Sequence, residues 1–320
     1  MGLIYTDIYV KGKWIKVPST RIDDRTVVVT GRFIRMAAVH DESWLKGQVV
    51  ENPESFIHEL KTSKLKADIF TFVQKIPETQ PKYKYHFEWD NVAAIPITTV
   101  EEWWEKRLPQ VTRKSIRRAA KRGVTSKVSE FNDELINGII GIHNDTILRQ
   151  GVPNADYGKD FNIVKEEYSS YLDKSVFIGA YLGNELIGII KLIHMGQLAS
   201  IMQIVSKTTH YDKRPTNVLI TKAVEVCKQK NISFLIYGKY TYGNKADSSL
   251  TEFKRRNGFE QINIPRYYIP LTFKGKIAIN LNIHLGLLDI LPRGIISFLR
   301  NLRSKWYNVK IKIRNTETAD

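Results

Sequence analysis

Short β-branched and alternating runs fill the first part of the chain. IYVKGKWIKV has strand composition around a Lys11-Gly12 turn, and TVVVTGRFIRMAAV is a second such stretch. Residues 53–60 carry the spacing of a short helix, and 69–73 predict a further strand. After a strand over 92–97, Thr99 and Glu102 stand at capping-box spacing, which predicts a helix through Trp103 and Trp104 that Pro109 interrupts. A helix over 112–122 is stopped by Gly123. From about residue 129 the pattern becomes α/β: helices over 132–150 and 161–172, then strands over 176–182, 185–195 and 198–205, the first two joined by a Gly183-Asn184 hairpin turn. A helix over 216–230 follows, with Val218, Leu219, Ala223, Val226 and Cys227 on its apolar face. Next come a strand over 233–237 ending at Gly238, a helix over 248–257 ending at Gly258-Phe259, and a last strand over 267–271.

Composition narrows the class of protein. The 320 residues are 42% apolar and 11% aromatic, enough for a folded core and too much for a mainly disordered polymer. A single cysteine, Cys227, excludes a disulfide framework and a cysteine-based zinc cluster. The seven histidines show no HxxxH-type spacing, so no metal site is expected. MGLIYTDIYV has neither a secretory leader nor a myristoylation signal, which predicts a cytoplasmic protein.

The net charge of +16 is unevenly placed. Residues 106–127 hold nine basic residues and no acid, residues 271–314 hold nine against Asp289 alone, and the rest nets −1. In the 112–122 helix, Ile116, Ala119 and Ala120 form a narrow apolar stripe. Arg113, Lys114, Arg117, Arg118, Lys121 and Arg122 cover the remainder, able to grip phosphates or simply to be solvated. Near the C-terminus, Ile295, Ile296, Phe298, Leu299, Leu302 and Trp306 oppose Arg293, Arg300 and Arg303. Such a basic amphipathic helix over 293–307 either lies on an anionic membrane surface, as a peripheral protein of the inner face would, or packs on the domain. The apolar stretch 277–292 is too short and too interrupted, by Asn280, Asn282, His284 and Asp289, to span a bilayer.

Three segments carry a resemblance: EWDNVAAIPITTVEEWWEKRLPQVTRKSIRRAAKRGV (88–124), FIGAYLGNELIGIIKL (177–192), and LTEFKRRNGFE (250–260) with YYIPLT (267–272). Together they resemble the GNAT acyltransferase superfamily in its FemAB-like and BioF2-like branches. The resemblance implies an α/β (α+β) fold, a mixed sheet with flanking helices built as tandem GNAT-like halves. It divides the chain into a degenerate half over 1–128, a catalytic domain over 129–272 and a basic extension over 273–320. It also implies an N-acyltransferase that moves an acyl group from an activated donor to an amine of a cell-envelope or polysaccharide precursor, a small-molecule or lipid-linked acceptor.

The chain departs from acyl-CoA members of that superfamily in two places. Their Gly-rich pyrophosphate turn is replaced by KTTHYDKRPTN (207–217), where Lys213, Arg214 and Asn217 are candidate donor ligands. Their thiolate-protonating tyrosine is replaced by Lys254, preceded by Phe253, as in the Fem aminoacyltransferases. Acyl-CoA is the donor expected first, aminoacyl-tRNA the alternative, with no metal and no DNA. Lys254 then serves to stabilise an oxyanion or a donor phosphate, or is a surface lysine beside two arginines. In the strand end Tyr237-Gly238-Lys239-Tyr240-Thr241-Tyr242, Tyr242 is a candidate late acid and Tyr237, Gly238, Lys239 and Tyr240 are candidate donor contacts; strand-edge tyrosines also serve as packing. Arg113, Arg117, Arg118, Asn144, Arg149 and Tyr157 are candidates for holding the acceptor or its phosphates. The outside-class alternative is a non-catalytic membrane- or nucleic-acid-binding module.

Overall fold

A computed structural model describes residues 3–10, 13–23, 25–42, 50, 52–149, 151–243 and 248–285. β1 (Ile4–Val10), β2 (Lys13–Ile22), β3 (Arg25–Thr30) and β4 (Met36–Val39) form an antiparallel meander. α1 (Pro53–Thr62) starts where Asn52 accepts from Ser55 N and Pro53 occupies the first turn, where its missing N–H costs nothing. It buries Phe56, Ile57 and Leu60 and delivers the chain to β5 (Ile69–Val73), which runs parallel to β4.

β6 (Phe87–Pro96) leads to α2 (Val100–Glu102), capped by the Thr99 side chain as the capping-box spacing predicts, and to a π-helical turn over Trp103–Arg107. α3 (Gln110–Lys121) ends at Gly123, whose φ of 82° suits a residue without Cβ. After β7 (Val124–Ser129) comes α4 (Asp133–His143), shorter than the helix expected over 132–150. The reason is tertiary: Asp145 turns away to accept from the backbone and hydroxyl groups of Thr208 and Thr209. The chain then forms a two-residue ladder, β8 (Leu148–Arg149) with β9 (Val152–Pro153), and α5 (Phe161–Ser169). β10 (Ser175–Leu182), β11 (Glu185–Met195) and β12 (Leu198–Ser206) repeat the antiparallel meander. α6 (Pro215–Gln229) crosses to β13 (Phe234–Ile236), which is parallel to β12. α7 (Ser249–Arg256), β14 (Glu260–Pro270) and α8 (Phe273–Asn280) complete the described chain.

The two halves therefore share a plan, meander then crossover helix then parallel strand, and they exchange their closing strands. β6, which follows β5, pairs with β13; β14, which follows β13, pairs with β5; and β6 and β14 pair with each other. One twelve-stranded sheet results, in the order β1-β2-β3-β4-β5-β14-β6-β13-β12-β11-β10-β7. β7 spans the expected 128/129 division and pairs with β10. The halves differ in one respect that matters: β13 connects to β14 through α7, whereas 74–86, between β5 and β6, contains no helix. The chain has one α7, and the site is built on it.

α6 packs with Trp103, Ile116 and Ala119 on one face of the second half's strands, while Ile136, Ile139 and Val164 from α4 and α5 cover the other. Cys227 is fully buried in α6, and burial pushes its thiol up to about 12. It is a core residue. β14 is longer than the strand expected over 267–271. Its Pro265 stands just before the β5 register pairs, which begin at Arg266, and its carbonyl accepts from Gln74 N at 2.9 Å, so the missing N–H falls at the end of that ladder. No helix among the described residues is long and apolar enough to cross a membrane. The amphipathic helix expected over 293–307 lies outside the described residues.

Candidate active site

The site forms where β13 leaves β12. The two strands pair only over Leu198–Ser200 and Phe234–Ile236, and β12 bulges just beyond, between Ile201 and Gln203, where Met202 has no register partner on β11. β13 instead turns to β6: Tyr237 N donates to Ala93 O and Ala93 N to Gly238 O, both at 2.8 Å. Gly238 has φ 56°, and a Cβ there would lie 2.8 Å from the Tyr242 hydroxyl. Glycine gives this left-handed turn without strain and leaves room for Tyr242 to return over its own strand end. Asn91 fixes the return by accepting from Thr241 N at 2.9 Å.

α7 enters from the opposite side, its N-terminus capped by Ser248, which accepts from Thr251 N. Its three consecutive cations part company. Arg255 and Arg256 face outward and pair with Glu252 at 2.7 and 2.5 Å, one turn back on the same helix. Lys254 points inward and is 1% exposed. Its Nζ donates to the Lys239 carbonyl and lies 4.8 Å from the centre of the Tyr237 ring and 5.0 Å from that of Tyr242. Among the described residues the ammonium meets one backbone oxygen, two aromatic faces and no carboxylate. Burial accordingly lowers its pKa to about 8, and burial, with Tyr242 nearby, pushes the Tyr237 phenol up to about 12. Phe253 and Phe259 pack against Tyr237, while Tyr242 is 45% exposed. Lys254 is thus no surface lysine. It is a desolvated cation whose charge is not neutralised, reached past a half-exposed phenol.

A chain of charges anchors this arrangement in the first half. Lys239 Nζ lies 2.8 Å from Asp90 Oδ1, Asp90 Oδ2 accepts from Arg266 Nε at 3.0 Å, and Arg266 reaches Glu42 at 3.1 Å. Glu42 in turn accepts from Val73 N at 2.6 Å. Burial alone would raise the Asp90 pKa, but Arg266 and Lys239 outweigh it and hold the carboxyl below its ordinary range. Lys239 therefore serves through its carbonyl and its anchor.

The 207–217 segment is held by Asp145 at Thr208 and Thr209, by Glu185 at Lys207 and His210, and by Arg122 at Asp212. Arg214 is left-handed (φ 55°) and exposed, and Lys213 lies 3.4 Å from Asp212. In the first turn of α6, Pro215 has no N–H, and the amides of Asn217 and Val218 donate to the Arg214 carbonyl. The Asn217 amide is engaged within the fold: Nδ2 donates to Asn257 Oδ1 at 2.9 Å, and the buried Asn257 donates to the Phe253 carbonyl at 2.8 Å. Asn217→Ala is expected to lower stability by about 1–3 kcal/mol, because it strands the Asn257 oxygen. Chemical denaturation checks this, and an unchanged midpoint would show that the bond does not matter.

Two of the other candidates are engaged within the fold and one stands at its surface. Arg149 donates to the carbonyls of Ile142 and Ser206, and Asn144 accepts from Gly158 N, while Tyr157 is exposed. The basic block of 106–127 is largely answered from outside it: Lys106 pairs with Glu102, Arg107 with Glu260, Arg113 with Glu105 and Arg122 with Asp212, and Arg117 lies over the Trp104 ring. Lys114, Arg118 and Lys121, on one face of α3, are exposed and make no ion pair among the described residues. Two residues that sequence reading missed are Asp90 and Arg266, which are 176 positions apart and carry no local signal. Gly258 is a third structural element: its φ is 79° and a Cβ would meet Trp103 Nε1 at 2.8 Å, so α7 docks on the π-helical turn only through glycine.

No family model matches the sequence, and no curated protein does. Solved structures do match. FemX superposes with a TM-score of 0.54 at 12% identity, over 87% of this chain and 90% of its own. The C-terminal domain of a putative lysylphosphatidylglycerol synthetase from Agrobacterium fabrum gives 0.53 at 10% identity, over 81% and 85%. The fold is GNAT-like, of the FemAB-like kind. Within it the exchanged strands β6 and β14 join two GNAT-like halves, and Lys254 stands on the helix that only the second half possesses.

Proposed function

We propose that the chain is an N-acyltransferase that moves an activated acyl group, an aminoacyl group in the favoured reading, to an amine of a cell-envelope precursor. The observation that carries this is Lys254: a buried ammonium with no carboxylate partner among the described residues, beside a strand splay and a bulge. In the reaction the acceptor nitrogen attacks the acyl carbon, the C–N bond forms, and the bond to the donor oxygen or sulfur breaks. The nitrogen's proton passes to the leaving group. Negative charge grows on the carbonyl oxygen, and a preorganised cation in a site of low dielectric stabilises it more than water does. Tyr242, half-exposed and within 5.0 Å of the ammonium at its ring centre, is placed to protonate the leaving group.

Two observations favour aminoacyl-tRNA over acyl-CoA. The first turn of α6 offers few free amides to a pyrophosphate, since Pro215 has none and two of its neighbours are already bonded. Separately, Lys114, Arg118 and Lys121, which make no ion pair among the described residues, form a cationic stripe suited to an extended phosphate backbone. The likeness to FemX and to a lysylphosphatidylglycerol synthetase domain supports the same class of acceptor, an envelope peptide or a lipid headgroup. The test is to incubate the full chain with a mixture of charged tRNAs, or separately with acetyl-CoA, in the presence of amine-bearing envelope precursors, and to read the products by mass spectrometry. Aminoacylated product is the expected result. Acetylated product alone would establish the acyl-CoA reading, and no product with either donor would overturn the enzymatic one.

A further inference from the structure

Glu88 is the second residue of β6 and His86 stands just before the strand, where its carbonyl accepts from Tyr268 N of β14 at 2.9 Å. His284 arrives from the 3-10 turn Ile283–Leu285 after α8 and is buried. The three side chains meet. Glu88 Oε1 lies 2.9 Å from His284 Nε2 and 3.6 Å from His86 Nε2, and one ligand atom from each residue lies within 4.8 Å of the others. In a tetrahedral zinc site with bonds of about 2.0–2.2 Å, neighbouring ligand atoms stand about 3.3–3.6 Å apart. The two distances to Glu88 bracket that spacing.

Hydrogen-bond accounting at His284 sharpens the point. Its Nδ1 faces the Ala278 carbonyl at 3.3 Å and its Nε2 faces the Glu88 carboxylate at 2.9 Å, so both ring nitrogens meet acceptors. A neutral imidazole has only one N–H to give. A second positive centre, either a second proton or a cation between ring and carboxylate, must satisfy the other side. A metal-ligating histidine commonly donates its remaining N–H to a backbone carbonyl, which fixes the tautomer and aims the other nitrogen at the metal; Ala278 O is such an acceptor. The Tyr268 ring packs edge-on against His284 at 4.5 Å and closes one side. The His86 side chain, 46% exposed, leaves the other open to solvent and to additional water ligands.

We infer that His86, Glu88 and His284 form a binding site for a divalent transition-metal cation, with two nitrogens and one carboxylate oxygen as ligands. Zinc suits this borderline donor set. The cation pins the turn after α8 to β6, the strand that also carries Asp90 and Ala93 at the candidate active site. The spacing of histidines along the chain gives no sign of this, since the third ligand lies 196 positions from the second.

The experiment uses the full chain without an affinity tag, stripped with a chelator and titrated with Zn2+ against a chromophoric competitor. One zinc per chain is expected, with micromolar or tighter affinity and a thermal midpoint that rises with zinc. His86→Ala, at a half-exposed position that spares the core, and Glu88→Gln are each expected to weaken binding by about 100-fold or more and to abolish the zinc-dependent shift. Absence of stoichiometric zinc binding in the wild type would overturn the site and leave a histidine–carboxylate hydrogen bond in its place. So would variants that bind zinc as tightly as the wild type.

Discussion

Lys254→Met is expected to slow single-turnover acyl transfer by about 10²–10³-fold while leaving the protein folded. That is the range lost when one preorganised oxyanion donor is removed from an acyl-transfer site. Methionine keeps most of the buried stem and its packing against Tyr237 and Tyr242, and so isolates the charge from the shape. Near-UV circular dichroism should be unchanged, and thermal stability unchanged or raised, because an uncompensated buried ammonium is itself unfavourable. The sign follows from its lowered pKa. The folded value, about 8, lies below the ordinary 10.5, so the protonated lysine costs stability at neutral pH and the cost fades as pH rises from about 8 toward 10.5.

The second large effect lies in the charge chain behind the site. Arg266→Met is expected to destabilise the protein by about 3–5 kcal/mol, the usual consequence of removing one member of a buried charge cluster and leaving the others. Burial disfavours the guanidinium, yet Glu42 and Asp90 outweigh it and hold its pKa above the ordinary value. Without it, Asp90 keeps Lys239, and Glu42 keeps only the neighbouring charge of Lys75. Urea denaturation followed by circular dichroism reads the loss, and a change of less than about 1 kcal/mol would show that the pairs are screened. Acid should act in the same direction. Asp90 has a folded pKa below its unfolded one, so its contribution is present at neutral pH and is lost as pH falls through the carboxylate range toward the folded value. Asp90→Asn should flatten that acid limb.

Local pattern was enough to place most elements. Ile69–Val73 and Glu185–Met195 match their expected bounds, and Thr99 and Gly123 cap the helices they were expected to cap. Long-range geometry was not legible. The turn at Asp145 depends on hydroxyls 63 and 64 positions away, and the exchange of β6 and β14 between halves leaves no mark on either strand's own sequence. At the site, the resemblance to the Fem aminoacyltransferases singled out Lys254, but its burial could not be read beside Arg255 and Arg256. Only the outward pairing of both arginines with Glu252 shows which of the three cations the helix turns inward. The basic helix taught the converse. The 106–127 block has no acid, yet four of its nine cations pair with carboxylates from outside it and two, Arg117 and Lys127, lie over aromatic rings, which leaves three to meet a ligand.

The most direct test of the central claim is the pH dependence of single-turnover transfer by the wild type and by Lys254→Arg. If the buried ammonium supplies the charge at the reacting carbonyl, wild-type transfer falls on the alkaline side with an apparent pKa near 8, and the arginine variant, slower but always charged, lacks that limb. A wild-type rate that stays level or rises through pH 10, or a Lys254→Arg profile with the same alkaline limb, would contradict it.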